Sequence, residues 1–534
     1  MPHLILRNAK LIPQNVDYEH ATAVAIRGNR ILAVGSNEEI IVLAKQGTQQ
    51  IDLQGRLLLP GFTDSHIHLY DHAMSPHRLA LADTTSLDDL LIRLKHEAVG
   101  KSPGSWIQGR GWNETRWPDP IYPTRQDLDR AAPDHPVILW RSDMHLAVVN
   151  SRALSAAGID STTPDPEQGR IDRDKAGEPN GGLRERAIRL VKDLIPLPPE
   201  EQVMQAMQQA FSDLHRLGVT GIHDFRDLGG REAGLVLRAL TCLDQAGKLE
   251  LRTWMCLAGE HLDQAIALGL RTSLGNDLLR IGHVKFFSDG SQGAHTAWML
   301  EPFEGSQDTG MPLTPMEEIS AAIQRAHQAG LAVAVHAIGD RANRELIAVF
   351  ARAAQNNPRS APSAPHRIEH VQNIRPEDLK RMASLGIVAS VQPIHLVDDI
   401  TLVDQTVGSR GQFTYPFRDM LEAGVVMAFG SDAPVADHNP LRGIQAAVTR
   451  QRSDGTPHLG WYPQQRLTVA EAIVGYTQGP AMACGRQMDL GNIGPGSLAD
   501  LVVLEDDILT GDHSAIGETE IALTLFNGRV VFER

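Results

Sequence analysis

Two histidines that lie two residues apart, His66 and His68, end the segment 61–68 (GFTDSHIH), which follows an apolar run at 57–60. The pattern predicts a strand over 61–66, and residues i and i+2 of a strand point to the same face. Both imidazoles would then be directed at one point, as two ligands of one metal ion require. The alternative is a pair of hydrogen-bonded polar residues at a strand end, and this motif alone does not choose between the two.

Four more polar residues stand at the ends of other apolar segments further along the chain: Lys285, His336, His370 and Asp432. Each has an ordinary structural explanation when taken singly, since a lysine can extend to solvent and an aspartate can cap a helix. Polar residues at the C-terminal ends of successive barrel strands are instead typical of active sites. The order HxH, Lys, His, His, Asp therefore favours one metal-dependent site.

The middle of the chain alternates strand and helix patterns, which predicts an α/β fold built on a (β/α)8 TIM barrel. The eight predicted strands are 61–66, 219–224, 251–256, 281–286, 331–336, 366–370, 387–391 and 426–431. About 150 residues separate the first two strands, far more than an ordinary connection. We therefore expect a barrel over 60–482 with an inserted subdomain at about 72–210. Short strand patterns over 1–59 and 483–534 predict a small β-sandwich domain built from both termini.

Composition limits the classes of function. The 534 residues carry a net charge of −15, which argues against general binding to a nucleic-acid backbone. No apolar run approaches the roughly 20 residues that span a bilayer, and the three cysteines form no CxxC pattern. We expect a cytoplasmic enzyme that acts on a small molecule and binds neither nucleic acid nor membrane, and a homodimer is the commonest closed assembly.

Several motifs make the chain resemble the metal-dependent amidohydrolase superfamily. The resemblance is strongest to the branch that includes N-substituted formamide deformylase and related predicted amidohydrolases, and it covers nearly the whole chain. The segments that carry it are 59–68 (LPGFTDSHIH), 111–114 (GWNE), 143–151 (DMHLAVVNS), 285–291 (KFFSDGS), 336–342 (HAIGDRA), 367–370 (RIEH), 430–435 (GSDAPV) and 494–504 (GPGSLADLVVL).

The resemblance implies a binuclear metal site. His66 and His68 would bind one divalent ion with Asp432 near it, while His336 and His370 would bind the second. Lys285 would bridge the two ions as a carbamate formed with CO2, and a lysine in an apolar site has the lowered pKa that this reaction needs. Zinc suits imidazole and carboxylate ligands best, and the site would hold one or two such ions.

The resemblance also implies a reaction. We expect a hydrolase of a non-peptide carbon–nitrogen bond, in which metal-bound hydroxide attacks a linear amide such as an N-formyl or N-acyl amine. Asp432 would shuttle the proton, and Lys285 and His145 would complete the catalytic set. His145, Trp112 and Ser291 are the candidates for substrate binding, although core packing explains Trp112 equally well. The alternatives are a cyclic amidase or deaminase of the same superfamily, and a barrel that binds without catalysis.

Overall fold

The computed structural model describes residues 1–12, 20–226, 230–356 and 362–534. The strands are β1 (Leu4–Arg7), β2 (Lys10–Leu11), β3 (Ala23–Arg27), β4 (Arg30–Gly35), β5 (Gln49–Asp52), β6 (Leu57–Pro60), β7 (Phe62–Ile67), β8 (Leu79–Ala80), β9 (Ile107–Trp112), β10 (Val137–Arg141), β11 (Leu146–Val149), β12 (Gly169–Arg173), β13 (Pro179–Glu185), β14 (Val219–Asp224), β15 (Arg252–Ala258), β16 (Leu279–Phe287), β17 (Val333–Ala337), β18 (Arg367–His370), β19 (Val388–Val391), β20 (Met427–Phe429), β21 (Leu501–Leu504), β22 (Ile521–Phe526) and β23 (Arg529–Glu533).

The α-helices of the same ranges are α1 (Asn37–Ile41), α2 (Leu69–Met74), α3 (Leu87–Val99), α4 (Arg125–Ala131), α5 (Ser151–Ala156), α6 (Arg189–Lys192), α7 (Glu200–Arg216), α8 (Ala233–Gln245), α9 (Leu262–Ala267), α10 (Met316–Gln328), α11 (Asp340–Asn356), α12 (Pro376–Ser384), α13 (Pro393–Thr406), α14 (Phe417–Glu422), α15 (Pro440–Thr449), α16 (Val469–Tyr476) and α17 (Gln478–Ala483). None of them combines the length and the apolar composition that crossing a bilayer requires.

Eight parallel strands form the centre of the fold. Each is hydrogen-bonded to the next in the order β7, β14, β15, β16, β17, β18, β19, β20. A parallel bridge between Ile67 and Ala433 joins the end of the first strand to the segment after the last, which nearly closes the sheet. Helices separate the successive strands from β14 onward. The predicted (β/α)8 barrel is therefore confirmed.

Strand β17 illustrates why these segments form a barrel. All five of its residues are buried, as expected for a parallel strand that is covered on both faces and therefore reads as a continuous apolar run. The preceding helix α10 buries Ile319, Ile323 and Ala326, spaced by four and three residues. That spacing places the three side chains on one face of the helix, which packs on the barrel.

The long segment between β7 and β14 contains a six-stranded sheet in the order β12, β13, β11, β10, β9, β8. Alternating residues of β10 belong to different hydrophobic clusters, with Leu139 in one and Ile138 in the other, because successive side chains of a strand point to opposite faces. Helix α7 begins at Glu200, within the predicted insert of 72–210, yet Val203 and Phe211 pack in the barrel cluster. The predicted boundary at 210 therefore falls inside a helix of the barrel layer.

Strands from both ends of the chain pair with each other. One sheet has the order β4, β3, β1, β5, and the other has the order β2, β6, β21, β22, β23. A single hydrophobic cluster contains Leu6 and Val24 of the first sheet together with Val503 and Leu523 of the second. The assignment of 1–59 and 483–534 to one β-sandwich domain stays a prediction.

Arg252, at the start of β15, links the barrel to the C-terminal strands. Its Nη2 donates to Asp500 Oδ1 at 3.0 Å and to Asn527 Oδ1 at 3.1 Å, and its Nε also contacts the Asp500 carboxylate. The side chains of Arg252 and Asp500 are only 6% and 7% exposed. Removing either partner would therefore leave a buried charge without compensation.

We expect Asp500→Ala to lower the free energy of unfolding by about 3–5 kcal/mol, because the guanidinium of Arg252 stays buried without its carboxylate. Chemical denaturation followed by tryptophan fluorescence measures the change. The control is Arg238→Ala, which removes an exposed pair with Glu200 and should cost less than about 1 kcal/mol. Equal effects of the two substitutions would contradict a structural role of the buried pair.

Candidate active site

The C-terminal ends of the barrel strands surround one cavity of about 200 Å³. Side chains of the insert, of α13 and of the segment after β20 complete its wall. The ends of parallel barrel strands meet on the same face of the barrel. The cavity is accordingly lined by all six residues that were predicted from the strand ends, namely His66, His68, Lys285, His336, His370 and Asp432.

His66 and His68 converge on Asp432. Nε2 of His68 lies 3.1 Å from Asp432 Oδ1, and Nε2 of His66 lies 3.5 Å from the same oxygen. One ligand atom of each of the three residues lies within 4.8 Å of the other two. The spacing of two residues therefore brings both imidazoles to one carboxylate, in an arrangement that could hold a metal ion.

A second group of ligand atoms shares the same carboxylate and consists of His370, His395 and Asp432. Nε2 of His395 lies 3.9 Å from Asp432 Oδ2. The sequence prediction does not include His395, which lies in the first turn of α13. A polar residue shortly after the seventh barrel strand is the signal that could have identified it.

His336 lies beside this second group. Its ring centre is 4.5 Å from that of His370, and its Nε2 is 3.1 Å from the carbonyl oxygen of Gly290. Because that carbonyl occupies Nε2, Nδ1 is the nitrogen that remains for a ligand. The structure therefore brings His336 and His370 together as neighbours, and of the two only His370 shares a ligand group with Asp432.

A buried ion pair fixes the orientation of His66. Nδ1 of His66 donates to Glu369 Oε2 at 2.6 Å, and Arg367 binds both oxygens of that carboxylate at 2.6 and 3.0 Å. With its proton on Nδ1, the ring presents the Nε2 lone pair toward Asp432. Nε2 of His66 and Nε2 of His395 are buried and make no hydrogen bond with any described residue, as expected of atoms that bind a metal.

The protonation states also suit a metal site. Burial and the charge of Lys285 lower the pKa of His66 to about 4, and burial lowers the pKa values of His336 and His370 well below their usual range. Burial opposes ionisation of Asp432, but the neighbouring histidines outweigh it and hold the pKa of Asp432 well below its usual range. Neutral imidazoles around an anionic carboxylate are the forms that coordinate metals.

Lys285 of β16 lines the same cavity and is only 2% exposed. Its Nζ lies 5.0 Å from the ring centre of Phe225 and 4.8 Å from that of Phe287. Burial between these rings lowers the pKa of Lys285. Lys285 therefore loses its proton at a lower pH than an exposed lysine does, which leaves the neutral amine.

The insert contributes a histidine–carboxylate pair to the cavity. Nδ1 of His145 donates to Glu185 Oε2 at 2.8 Å, and Thr296 donates to the other oxygen of Glu185 at 2.6 Å. Burial acts to lower the pKa of His145, but Glu185 and Asp143 outweigh it and raise the pKa to about 9. His145 is thus a charged donor whose Nε2 is left for a ligand.

Ser291 also lines the cavity, and its hydroxyl donates to Asp143 Oδ2 at 3.0 Å. Trp112 does not reach the cavity, so its position does not support the predicted substrate contact. It is fully buried in a hydrophobic cluster of the insert, and its Nε1 donates to the carbonyl oxygen of Leu139 at 3.0 Å. Trp112 therefore packs in the core of the insert, together with Trp117.

Two of the candidate metal ligands have a backbone conformation with a positive φ angle. The φ angles are +73° at His370 and +59° at Asp432, a region that residues with a side chain seldom adopt. Such conformations cost free energy and cluster at functional sites, where the surrounding structure holds them in place. Here they turn the chain at the ends of β18 and β20, where the two ligand groups meet.

Comparison with known proteins agrees with this arrangement. A family model described as the amidohydrolase family matches residues 49–532. The YtcJ protein of Bacillus subtilis (strain 168) is 33% identical over 523 residues, which cover 97% of each chain. N-substituted formamide deformylase of Arthrobacter pascens is 28% identical over 551 residues, which cover 100% of this chain and 99% of that enzyme.

A solved structure shows the same architecture. An uncharacterized metal-dependent hydrolase from Pyrococcus horikoshii OT3 superposes with a TM-score of 0.77 at 28% identity, covering 96% of this chain and 99% of the other. The family match spans the barrel and the strand ends that carry the ligand groups. The chain therefore belongs to the amidohydrolase family and is a hydrolase of carbon–nitrogen bonds, which confirms the resemblance seen in its motifs.

Proposed function

We propose that the protein is a metal-dependent hydrolase of a linear amide, namely an N-formyl or N-acyl amine. The observation that carries the proposal is the position of Asp432, which belongs to both groups of imidazole ligands in the cavity. The full-length similarity to N-substituted formamide deformylase favours a linear amide over other carbon–nitrogen bonds.

His66, His68 and Asp432 would hold one divalent ion, and His370 and His395 would hold a second, with His336 beside them. Imidazole and carboxylate ligands suit zinc. When bound, such an ion lowers the pKa of water toward about 7 and polarises a carbonyl oxygen.

Lys285 would contribute as a carbamate. An ammonium group in this cavity would repel the cations that the histidines bind, whereas the neutral amine can attack CO2, form an N–C bond and release one proton. The product carries a negative charge and supplies oxygen atoms to the site. The burial of Lys285 supports this reaction, because it disfavours the ammonium form.

Asp432 would accept a proton from the attacking water and pass it to the leaving nitrogen, since neighbouring histidines keep its carboxylate ionised. His145 would donate a hydrogen bond from Nε2 to the oxygen of the scissile carbonyl. Glu185 keeps the His145 ring charged and oriented for this contact.

The first test is activity. Native protein loaded with zinc or manganese in bicarbonate buffer should hydrolyse N-formyl and N-acyl amines, lose this activity with a chelator and regain it with metal. Asp432→Asn should lower kcat by about 10²–10⁴-fold or more, because the proton acceptor and a shared metal ligand are lost together. The exposed Asp506→Asn serves as the matched control and should retain full activity. Hydrolysis of cyclic amides or aminated heterocycles in preference to linear amides would refute the proposed substrate.

A second test concerns the carboxylate behind His66. Glu369→Gln keeps the shape of the side chain but removes the charge that orients the imidazole, so we expect zinc affinity to fall by about 10–100-fold. Competition with a chromogenic chelator measures the affinity, and circular dichroism verifies the fold. Glu377→Gln, on the exposed side of α12, is the control and should change nothing. Unchanged zinc affinity in a folded Glu369→Gln protein would contradict the orienting role.

A third test concerns Lys285. We expect Lys285→Ala to lose binuclear occupancy, because no carbamate can form, and native protein reconstituted without CO2 should show the same deficit until bicarbonate is added. Atomic spectrometry gives the metal content per chain. Two bound ions and full activity in Lys285→Ala would refute the carbamate.

A further inference from the structure

Among the described residues that line the cavity, one carboxylate forms no ion pair. Three of the cavity's carboxylates pair with arginines: Asp71 with Arg78 at 2.7 Å, Asp143 with Arg141 at 2.8 Å and Asp398 with Arg116 at 3.0 Å. Two others, Glu185 and Asp432, face histidines. The sixth is Asp399 of α13, and no charged nitrogen of the described residues lies within 4.0 Å of its carboxylate.

Neutral groups hold the Asp399 carboxylate from one side only. Its Oδ2 accepts hydrogen bonds from Tyr415 Oη at 2.5 Å and from Gln372 Nε2 at 3.1 Å. Its Oδ1 accepts none from the part of the chain that the structure describes. The carboxylate is thus anchored on the wall with one oxygen available to whatever occupies the cavity.

The electrostatic surroundings of Asp399 favour a positively charged occupant. Burial raises the pKa of Asp399 despite the hydrogen bond from Tyr415 and the nearby His395, and the negative charges of Asp398 and Asp143 act in the same direction as burial. A cation bound at Oδ1 would offset this unfavourable burial of charge. An aliphatic ammonium group matches a single available carboxylate oxygen, because it is a compact point charge with N–H donors.

Asp399 lies near the residues proposed to surround the scissile amide bond. It follows His395 by four residues in α13, a rise of about 6 Å along the helix axis. His395 in turn lies 3.9 Å from Asp432. A group bound to Asp399 and an amide at Asp432 are therefore within reach of one small molecule.

We propose that the substrate is an N-acyl amine whose amine part carries a second, protonated amino group, and that Asp399 is the specificity-determining residue that binds this ammonium. This inference rests on the proposed function. In an N-formyl amine, whose acyl part is a single carbon, the ammonium can lie only on the substituent of the nitrogen.

The test compares two probes of equal length, N-formylputrescine and N-formylpentylamine, in which an ammonium replaces a methyl group. We expect native metal-loaded protein to prefer the charged probe in kcat/KM by on the order of tenfold or more, as for a charge-assisted hydrogen bond in a partly buried site. Asp399→Asn, which keeps the shape and the Tyr415 contact, should reduce the preference below about threefold. Asp398→Asn, a neighbouring carboxylate that already has an arginine partner, is the control and should retain it.

Calorimetry separates this inference from the proposed function. The product amines of the two probes, putrescine and pentylamine, are not turned over; each is titrated into native metal-loaded protein and into metal-loaded Asp399→Asn, and the ratio of the two Kd values is measured. A preference for the ammonium that depends on Asp399 supports the inference even if neither probe is hydrolysed. Equal Kd values, or a preference that survives Asp399→Asn in a folded protein, would overturn it while leaving amide hydrolysis intact.

Discussion

The ion pair between Arg367 and Glu369 is the interaction on which the site depends. The two residues are two positions apart in β18, so both side chains point to the same side of the strand, and both are fully buried. Burial alone would raise the pKa of Glu369, but Arg367 and His66 hold it well below its usual range. The resulting anion keeps the proton of His66 on Nδ1 and leaves Nε2 for the space beside Asp432. The buried carboxylate of Glu369 thus determines which nitrogen of His66 is available to a metal ion.

Closure of the barrel supplies the second constraint, since His66 and Asp432 stand 366 positions apart in sequence. The carboxylate of Asp64 accepts hydrogen bonds from the backbone of His66 and of Ser431, each at 3.0 Å. The backbone N–H of Asp432 donates to the carbonyl oxygen of His66 at 2.7 Å. These contacts tie the first strand to the chain after the last one. The backbone conformation of Asp432, with its positive φ angle, is held by the same contacts, which aim its carboxylate at both ligand groups.

The features of the site that depend on strand periodicity and barrel topology were predictable from the sequence. Strand periodicity places His66 and His68 on one side, and barrel topology gathers the strand ends on one face, so six cavity residues could be named in advance. His395 is indicated only by its place shortly after the seventh strand, because it lies on a helix, where no alternation relates it to that strand. The location of Trp112 could not be predicted. The sequence shows a large aromatic side chain, but it does not show whether that side chain lines the cavity or packs in the core of the insert.

Substitutions at the strand ends and substitutions in the cavity wall should affect different properties of the protein. Asp432 belongs to both ligand groups and also serves as the proposed proton acceptor, so replacing it changes metal binding and proton transfer together. Among the described residues, the carboxylate of Glu369 accepts hydrogen bonds from His66 and Arg367, and that of Asp399 accepts them from Tyr415 and Gln372. In the proposed function, Glu369 would act on metal affinity and Asp399 on the preference for a charged substrate. The wall residues come from α13, the insert and the segment after β20, so their substitution leaves the buried ion pair of Arg367 and Glu369 in place.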